Sequence, residues 1–254
     1  MSTPMPSAEQ SNWLTNSQRD ELVATFHRDG HFQLPVTLPD ALRRKAVAAI
    51  DRHAAEEDAD GPTPRAVKQQ GCVQKEPAFR PLMMFPPVLQ MCHDLLGPVF
   101  QLNQSNFYYK PREEAAETDF AAASPWHADG PRPRNFPPVE TKLGPAVGLH
   151  YLKFAFFLTD LTHEGSGPLE VIRGSHRRPE LDGLSGDEFD PRDYGDDYEQ
   201  LNVPAGTIVA FHQAQWHASP PNQSDIVRKN LYISFCPTWM RPFDYDMPRQ
   251  GELS

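Results

Sequence analysis

The sequence predicts a mainly β protein with an N-terminal helical layer. Residues 13–98 contain most of the segments with helical periodicity, whereas residues 99–239 contain short segments with the alternation typical of strands. The chain holds 27 prolines, and 39% of its residues are hydrophobic. Many prolines and few long apolar runs favour short strands joined by ordered loops. We therefore expect one domain over residues 1–254, with residues 1–12 as a flexible tail.

Capping residues and hydrophobic periodicity place the helices. A first helix is expected over 15–28, because polar capping residues precede it and Gly30 can end it. A second helix is expected over 40–57, where apolar residues recur on one face, and a third, shorter helix over 86–96. Residues 56–70 are acidic and then proline-rich, which favours a loop.

The strands are expected where apolar residues alternate with polar ones or run on without a break. These segments are 31–34, 99–109, 147–158, 204–211 and 230–238. The segment 204–211 is expected to begin as a turn. Residues two apart on a strand point to the same face. His150 and Phe156 are therefore predicted to share one face of the third segment.

The chemistry is concentrated in the triplet His127-Ala128-Asp129. On an extended strand, this His and this Asp project to the same side. One more His from elsewhere completes two imidazoles and a carboxylate, the ligand set of non-haem Fe(II) oxygenases, which leaves three metal positions open. Taken alone the triplet is a weak signal, since a polar surface turn has the same composition.

Three further features strengthen the interpretation of this triplet as a metal site. His217 is followed by Ser219 and then, after eight intervening residues, by Arg228. A segment running from Gly165 through Gly-Pro-Leu to Gly-Ser-His at position 176 lies between the two His motifs. A predicted turn and strand over 204–211 lead directly to the second motif.

Together these motifs resemble the phytanoyl-CoA dioxygenase-like branch of the Fe(II)/2-oxoglutarate-dependent oxygenases, from the N-terminal helix to about Trp239. The resemblance implies a double-stranded β-helix, which is a cupin-like jelly-roll. It also implies iron(II) as cofactor, 2-oxoglutarate and O2 as cosubstrates, and succinate and CO2 as coproducts.

The resemblance assigns roles to individual residues. His127, Asp129 and His217 resemble the iron ligands of the family. Because Asp129 is present, halogenation is not expected, since the halogenating relatives replace this carboxylate with a small residue.

The same resemblance implies four residues at the cosubstrate. Arg228 and Ser219 are similar to the pair that binds the distal carboxylate of 2-oxoglutarate, and a guanidinium fork suits a carboxylate. Tyr109 and Phe156 correspond to residues that line the cosubstrate pocket.

Substrate choice is expected to depend on the loops that flank the triplet. Arg132 and Arg134, with Lys142, form a cationic group that could bind an acid or phosphate, although solvated loop charges have the same pattern. His150 is a further candidate for contact with substrate. The alternative interpretation of His150 is a histidine of the core.

Composition argues against several classes of partner. The net charge of −10 disfavours nucleic acid and anionic membranes, and no apolar run reaches the length of a membrane span. Cys72, Cys92 and Cys236 are odd in number and far apart, which indicates no disulfide framework and fits a reducing cytoplasm. Residues 1–12 lack the pattern of a signal peptide.

The sequence thus predicts an Fe(II)/2-oxoglutarate-dependent dioxygenase that hydroxylates a small organic substrate, such as a secondary metabolite. One alternative is desaturation, cyclisation or epimerisation with the same cofactors. Another is a cupin-like metal-binding barrel that does not use 2-oxoglutarate, although such a barrel has no evident need of Arg228. Substrate identity and oligomeric state stay open.

Overall fold

The helices form where capping and periodicity predict them. The computed structural model describes residues 13–57, 66–113, 124–130, 139–142, 144–178, 181 and 190–244. Its α-helices are α1 (Asn16–Asp29), α2 (Asp40–Glu57), α3 (Cys72–Lys75), α4 (Arg80–Met83) and α5 (Pro86–Leu96). Thr15 and Gln18 cap α1 reciprocally, and Gly30 ends it with φ of 84°. The single-turn helices α3 and α4 were not predicted, because they are too short to show a periodicity.

Most strands are short, as the proline content predicts. The strands are β1 (His31–Gln33), β2 (Val67–Gln70), β3 (Phe100–Lys110), β4 (Ser124–His127), β5 (Val139–Thr141), β6 (Gly144–Ala146), β7 (Leu152–Phe157), β8 (Leu169–Ile172), β9 (Tyr198–Leu201), β10 (Ile208–His212), β11 (His217–Ser219) and β12 (Arg228–Pro237). The long ones are β3, which has 11 residues, and β12, which has 10. Two expectations were wrong. The end of the predicted loop 56–70 is strand β2, because it pairs with β3, and β7 is shorter than the predicted 147–158.

Two antiparallel sheets face each other. The larger sheet has the strand order β1-β10-β7-β12-β3-β2 and the smaller has β4-β11-β8-β9, while β5 and β6 form a separate hairpin. Without the flanking β1 and β2, this is two sheets of four strands whose neighbours lie far apart in sequence. That arrangement is a jelly-roll, which confirms the expected fold class.

The larger sheet is buried on both faces. On its outer face, Phe26 of α1, Ile50 of α2 and Met91 of α5 share one buried cluster with Phe154 and Ile233 of the sheet. The helical layer therefore covers this face, as predicted. Because residues one apart on a strand point to opposite sides, the next residue along each strand faces the smaller sheet.

The space between the sheets is apolar at one end only. There Phe157 of β7, Val171 of β8 and Phe211 of β10 belong to a second buried cluster. The other end is lined mainly by polar and charged side chains. This polar end is where the predicted metal ligands lie.

The expectations about membrane spans and cysteine pairing can be compared with the described residues. Within them, every helix is too short or too polar to cross a bilayer. Cys72, Cys92 and Cys236 are all buried and unpaired with one another. The expected tail over 1–12 lies outside the described residues.

Candidate active site

A cavity opens between the two sheets at their polar end. Strands β3, β7 and β12 supply one wall, and β4, β8 and β11, with the residues just after β4, supply the other. The side chains that line it are Asn106, Tyr108, Lys110, His127, Asp129, Lys153, Leu169, His217, Ser219, Arg228, Asn230 and Tyr232. Five of the residues predicted for the site therefore meet in one place.

His127, Asp129 and His217 form a compact group at this cavity. Each offers one ligand atom, and these atoms lie within 4.8 Å of one another. His127 Nε2 is 3.6 Å from Asp129 Oδ1, and His217 Nε2 is 3.7 Å from Asp129 Oδ2. The pairing of His127 with His217 across β4 and β11 brings the two imidazoles together. This set fits an Fe(II) ion with open positions.

Backbone carbonyls determine which nitrogen of each imidazole faces the cavity. His127 Nδ1 lies 2.7 Å from the Pro125 carbonyl oxygen, and His217 Nδ1 lies 2.8 Å from that of Gln215. A carbonyl only accepts, so each Nδ1 must carry the proton and donate it. In the neutral imidazole, Nε2 then keeps the lone pair that metal ligation requires, and in both histidines this nitrogen lies nearest to Asp129.

Asp129 is positioned by its backbone and not by a strand. Strand β4 ends at His127, so the expectation that both ligands lie on one strand was wrong. The Asp129 amide instead donates to the Gln213 carbonyl at 2.9 Å, as does that of Gly130 at 3.0 Å. A Cβ at Gly130 would lie 2.0 Å from Gln213 Cγ, so only glycine permits this approach.

Charge and burial set the protonation of the triad. Burial on its own would raise the pKa of Asp129, but Lys153 and the two imidazoles together hold it well below its usual value. Burial, reinforced by the neighbouring His127, lowers the pKa of His217 to about 3. The site therefore presents a carboxylate and a neutral His217 at neutral pH.

Arg228 is a buried cation directed into the cavity. Its side chain is only 1% exposed, and its Nη1 donates to the Pro220 carbonyl at 3.0 Å. Among the described residues, its Nε and Nη2 meet no acceptor. Burial lowers its pKa below the usual value, although an arginine stays charged. Two unpaired donors of a buried guanidinium are a site for a carboxylate.

The Gly-Ser-Gly-Pro-Leu segment allows this position of Arg228. Gly167 has φ of 64°, and a Cβ there would lie 2.4 Å from Arg228 Nη1 and 2.6 Å from the Pro220 carbonyl oxygen. Glycine is therefore needed for both backbone conformation and space. Leu169 and Ser219 line the same cavity as Arg228.

Tyr109 and Phe156 do not lie at the cavity. Phe156 is fully buried in the cluster beneath the helices, and Tyr109 packs against that same cluster. Both expectations fail for one reason. Tyr109 and Phe156 lie an odd number of residues from the cavity-facing Tyr108 and Lys153 on their strands, so their side chains point to the opposite face. Tyr108 of β3 takes the place expected for Tyr109.

The candidates for substrate contact have mixed outcomes. Arg132 and Arg134 lie outside the described residues, and Lys142 is exposed next to the β5 strand. His150 lies before β7 and not on it, so it does not share a strand face with Phe156. Gln213 approaches the His150 ring, with Gln213 Nε2 at 3.2 Å from Nδ1.

Sequence reasoning missed Lys153 altogether. This residue stands on β7 between fully buried apolar neighbours, and its ammonium contacts Asp129. A lone lysine within the apolar run 151–158 was the available signal, because a charge is rarely buried on a central strand without a partner. Lys110, Asn230 and Tyr232 were also missed as cavity residues.

A family model and a curated relative match this chain. Residues 26–230 match the model of the family described as Phytanoyl-CoA dioxygenase (PhyH). The chain is 30% identical over 237 residues to L-proline trans-4-hydroxylase of Streptomyces griseoviridis, and the match covers 83% of each chain.

Solved structures share the fold at lower identity. HygX from Streptomyces hygroscopicus, with nickel and 2-oxoglutarate bound, has a TM-score of 0.68 at 15% identity, over 90% of this chain and 89% of its own. The epimerase SnoN, in complex with Fe3+, alpha-ketoglutarate and nogalamycin RO, has a TM-score of 0.69 at 19% identity, over 93% of each chain.

Fold, site and relatives define one class of protein, the Fe(II)/2-oxoglutarate-dependent dioxygenases. The chain belongs to the phytanoyl-CoA dioxygenase family. Iron(II) is accordingly its cofactor and 2-oxoglutarate its cosubstrate.

Proposed function

We propose that this protein hydroxylates a small substrate that carries a carboxylate, with His127, Asp129 and His217 as its iron ligands. In the same proposal, Arg228 and Ser219 bind the distal carboxylate of 2-oxoglutarate, and O2 is the second cosubstrate. The chain acts as one domain, since helices and sheet share one core. A reducing cytoplasm is proposed as its location, in keeping with three unpaired cysteines.

The two unpaired nitrogens of Arg228, Nε and Nη2, carry the proposal. Donors of a buried charged group that lack acceptors are costly, so their presence here indicates a ligand that supplies acceptors. A dicarboxylate whose 2-oxo acid end lies at the metal would direct its other carboxylate toward such a group. A metal-binding barrel that does not use 2-oxoglutarate would not require this arginine.

The residues of the chain have separate tasks in the reaction. The two Nε2 atoms and Asp129 would hold the metal, and Arg228 with Ser219 would orient the cosubstrate, which lowers the entropy cost of reaction. Burial raises the pKa of Tyr232 to about 12, so its phenol keeps its proton and can donate in the cavity. Bound iron(II) supplies O2 activation coupled to oxidative decarboxylation of 2-oxoglutarate.

The charges of the cavity support an acidic substrate. Lys110, Lys153 and Arg228 line it, whereas Asp129 is the one acid among the described lining residues. An excess of positive charge attracts anionic ligands. The proline hydroxylase relative supports a free amino acid as the first compound to assay.

An anaerobic absorption titration tests the cosubstrate role. Adding 2-oxoglutarate to the Fe(II)-loaded protein should produce the weak visible charge-transfer band of a chelated 2-oxo acid. Arg228→Met should raise the apparent Kd for 2-oxoglutarate by about a hundredfold, because a buried charged partner is removed. Arg44→Met, on the exposed side of α2, is the matched control and should titrate like wild type.

Two outcomes would contradict the proposal. If the wild type binds iron but gives no band, the cosubstrate assignment is wrong. If Arg228→Met titrates like Arg44→Met, the distal carboxylate binds elsewhere.

A second assay addresses the substrate. Consumption of 2-oxoglutarate is compared with L-proline, with other amino acids and with pyrrolidine, which lacks the carboxylate. Stimulation by the acids but not by pyrrolidine supports an acidic substrate, and equal stimulation would refute it. Mass analysis of the product separates hydroxylation, which adds one oxygen, from desaturation, cyclisation or epimerisation.

A further inference from the structure

Lys153 is a cavity residue to which the proposed ligand roles assign no task. Its ammonium contacts Asp129 Oδ2, and its side chain is only 10% exposed. The same ammonium lies 5.5 Å from the centre of the Phe211 ring and 5.9 Å from that of Tyr232. Aromatic rings on β10 and β12, the two strands that flank β7, thus hold the ammonium against a single carboxylate oxygen.

The backbone of Lys153 is held firmly. It lies on β7, an interior strand, opposite Phe211 of β10 and Ser234 of β12. Its neighbours Leu152 and Phe154 are fully buried on the helix-covered face. A side chain anchored in this way can position another group with little freedom of its own.

The two oxygens of Asp129 have different surroundings. Oδ1 lies 3.6 Å from His127 Nε2, while Oδ2 is in contact with Lys153 and lies 3.7 Å from His217 Nε2. Among the described residues, the Asp129 carboxylate interacts with the two imidazoles and with one further group, the Lys153 ammonium. It therefore distinguishes one oxygen from the other before any metal binds.

We propose that Lys153 is a positioning residue that holds Asp129 Oδ2 and thereby limits Asp129 to a single metal-ligating oxygen, Oδ1. The inference rests on the proposed function. Two imidazoles, one carboxylate oxygen and a chelating 2-oxo acid would fill all but one position of an octahedral ion. A carboxylate that bound through both oxygens would occupy the position that O2 needs.

Nitric oxide, a stable surrogate for O2, tests this directly. Anaerobic Fe(II) protein is saturated with 2-oxoglutarate, and the electron paramagnetic resonance signal of its nitrosyl form is titrated. Lys153→Met keeps the length and loses the charge, and it should need about tenfold more nitric oxide, the lower end of the usual effect of removing a group that orients a ligand. Lys153→Arg keeps a donor and should recover most of the affinity.

Lys110→Met is the matched control. It removes the same charge from the same cavity, but the Lys110 ammonium lies over the Tyr108 ring at 5.2 Å. It should therefore bind nitric oxide like wild type. If it loses as much affinity as Lys153→Met, the effect is one of net cavity charge and the proposal is overturned.

The remaining outcomes separate this inference from the proposed function. If the wild type gives no 2-oxoglutarate band, the proposed function fails first. If the band is present in both proteins and Lys153→Met binds nitric oxide like wild type, only the role of Lys153 fails. A rise in substrate KM with unchanged nitric oxide affinity would show that Lys153 binds substrate, and would also overturn the proposal. Retention of the band shows that the variant is folded.

Discussion

The two faces of the larger sheet are built from the same strands but have opposite chemistry. Toward the helices, Phe107, Phe154 and Leu231 are fully buried among apolar side chains. Toward the smaller sheet, the adjacent Lys153 and Tyr108 line a polar cavity. Because the strand repeat is two residues, a single-residue step separates the packed core from the active site.

This difference shows where stability and function reside. The helix-covered face gains free energy from apolar burial, whereas the cavity face buries charged groups that cost free energy until ligands arrive. Substitutions on the two faces should therefore have separable effects. Four experiments test that separation.

The largest effect is expected on the helix-covered face. Phe154→Ala leaves a hole in a fully buried cluster and should lower the free energy of unfolding by about 3–5 kcal/mol. Urea unfolding measures the loss. The 2-oxoglutarate affinity of the remaining folded protein should stay unchanged, and a loss of affinity without a loss of stability would remove the distinction between the faces.

Acid should destabilise the protein through two buried histidines, His176 and His212, at one end of the helix-covered face. Burial lowers the pKa of His176 to about 4 from 6.5, and it lowers that of His212 on β10 as well. Between pH 6.5 and pH 4, His176 binds more protons in the unfolded chain than in the folded protein. The free energy of unfolding therefore falls as the pH drops from 6.5, and the contribution of His176 to this loss levels off near pH 4. For His176 alone, the loss should reach about 3 kcal/mol.

Urea unfolding at a series of pH values checks this slope. His27, Asp29 and Arg177 also act on His176, so the matched comparison is His176→Asn, which leaves those groups in place. This variant should show a shallower dependence between pH 6.5 and 4. An unchanged slope would place the acid sensitivity in other groups, such as the triad.

On the cavity face, loss of a charge should not weaken the fold. Arg228→Met removes a buried cation with two unpaired nitrogens, so the free energy of unfolding should stay the same or rise by about 1 kcal/mol. The lost bond to the Pro220 carbonyl opposes this gain. Urea unfolding without cosubstrate measures it, and a loss of several kcal/mol would show that Arg228 is a structural residue.

The smallest effect tests which face of β3 points into the cavity. Tyr108→Phe removes a hydroxyl from the cavity and should weaken 2-oxoglutarate binding by about three- to tenfold, the value of one hydrogen bond. Tyr109→Phe is the matched control on the other face and should leave the affinity unchanged. The reverse result would restore the original assignment of Tyr109. The absorption titration measures both.

Much of the site was predictable because its signals are local. His127, Asp129, His217, Ser219 and Arg228 occur at fixed spacings, and the structure brings all of them to one cavity. Their roles as ligands and cosubstrate contacts remain predictions. The helices α1, α2 and α5 were predictable for the same reason, since caps and periodicity operate within a few turns.

The errors share a cause that is not local. The residues of 99–109 and 147–158 showed that both segments are strands, and every strand has two faces, but they did not show which face meets the smaller sheet. Phe156 and Tyr109 were assigned to the wrong side, and Lys153 was missed. A strand with two buried faces carries no polar stripe that marks solvent, so only its packing partners decide its orientation.

By itself the sequence determined the ligand types, the class of chemistry and the elements that carry them, because spacing and side-chain chemistry are properties of the chain. Only the tertiary structure decided that Asp129 is held by Gln213 after the strand ends, that Gly167 makes room for Arg228, and that Lys153 contacts Asp129. Those contacts join segments distant in sequence, and sheet register and packing settle them.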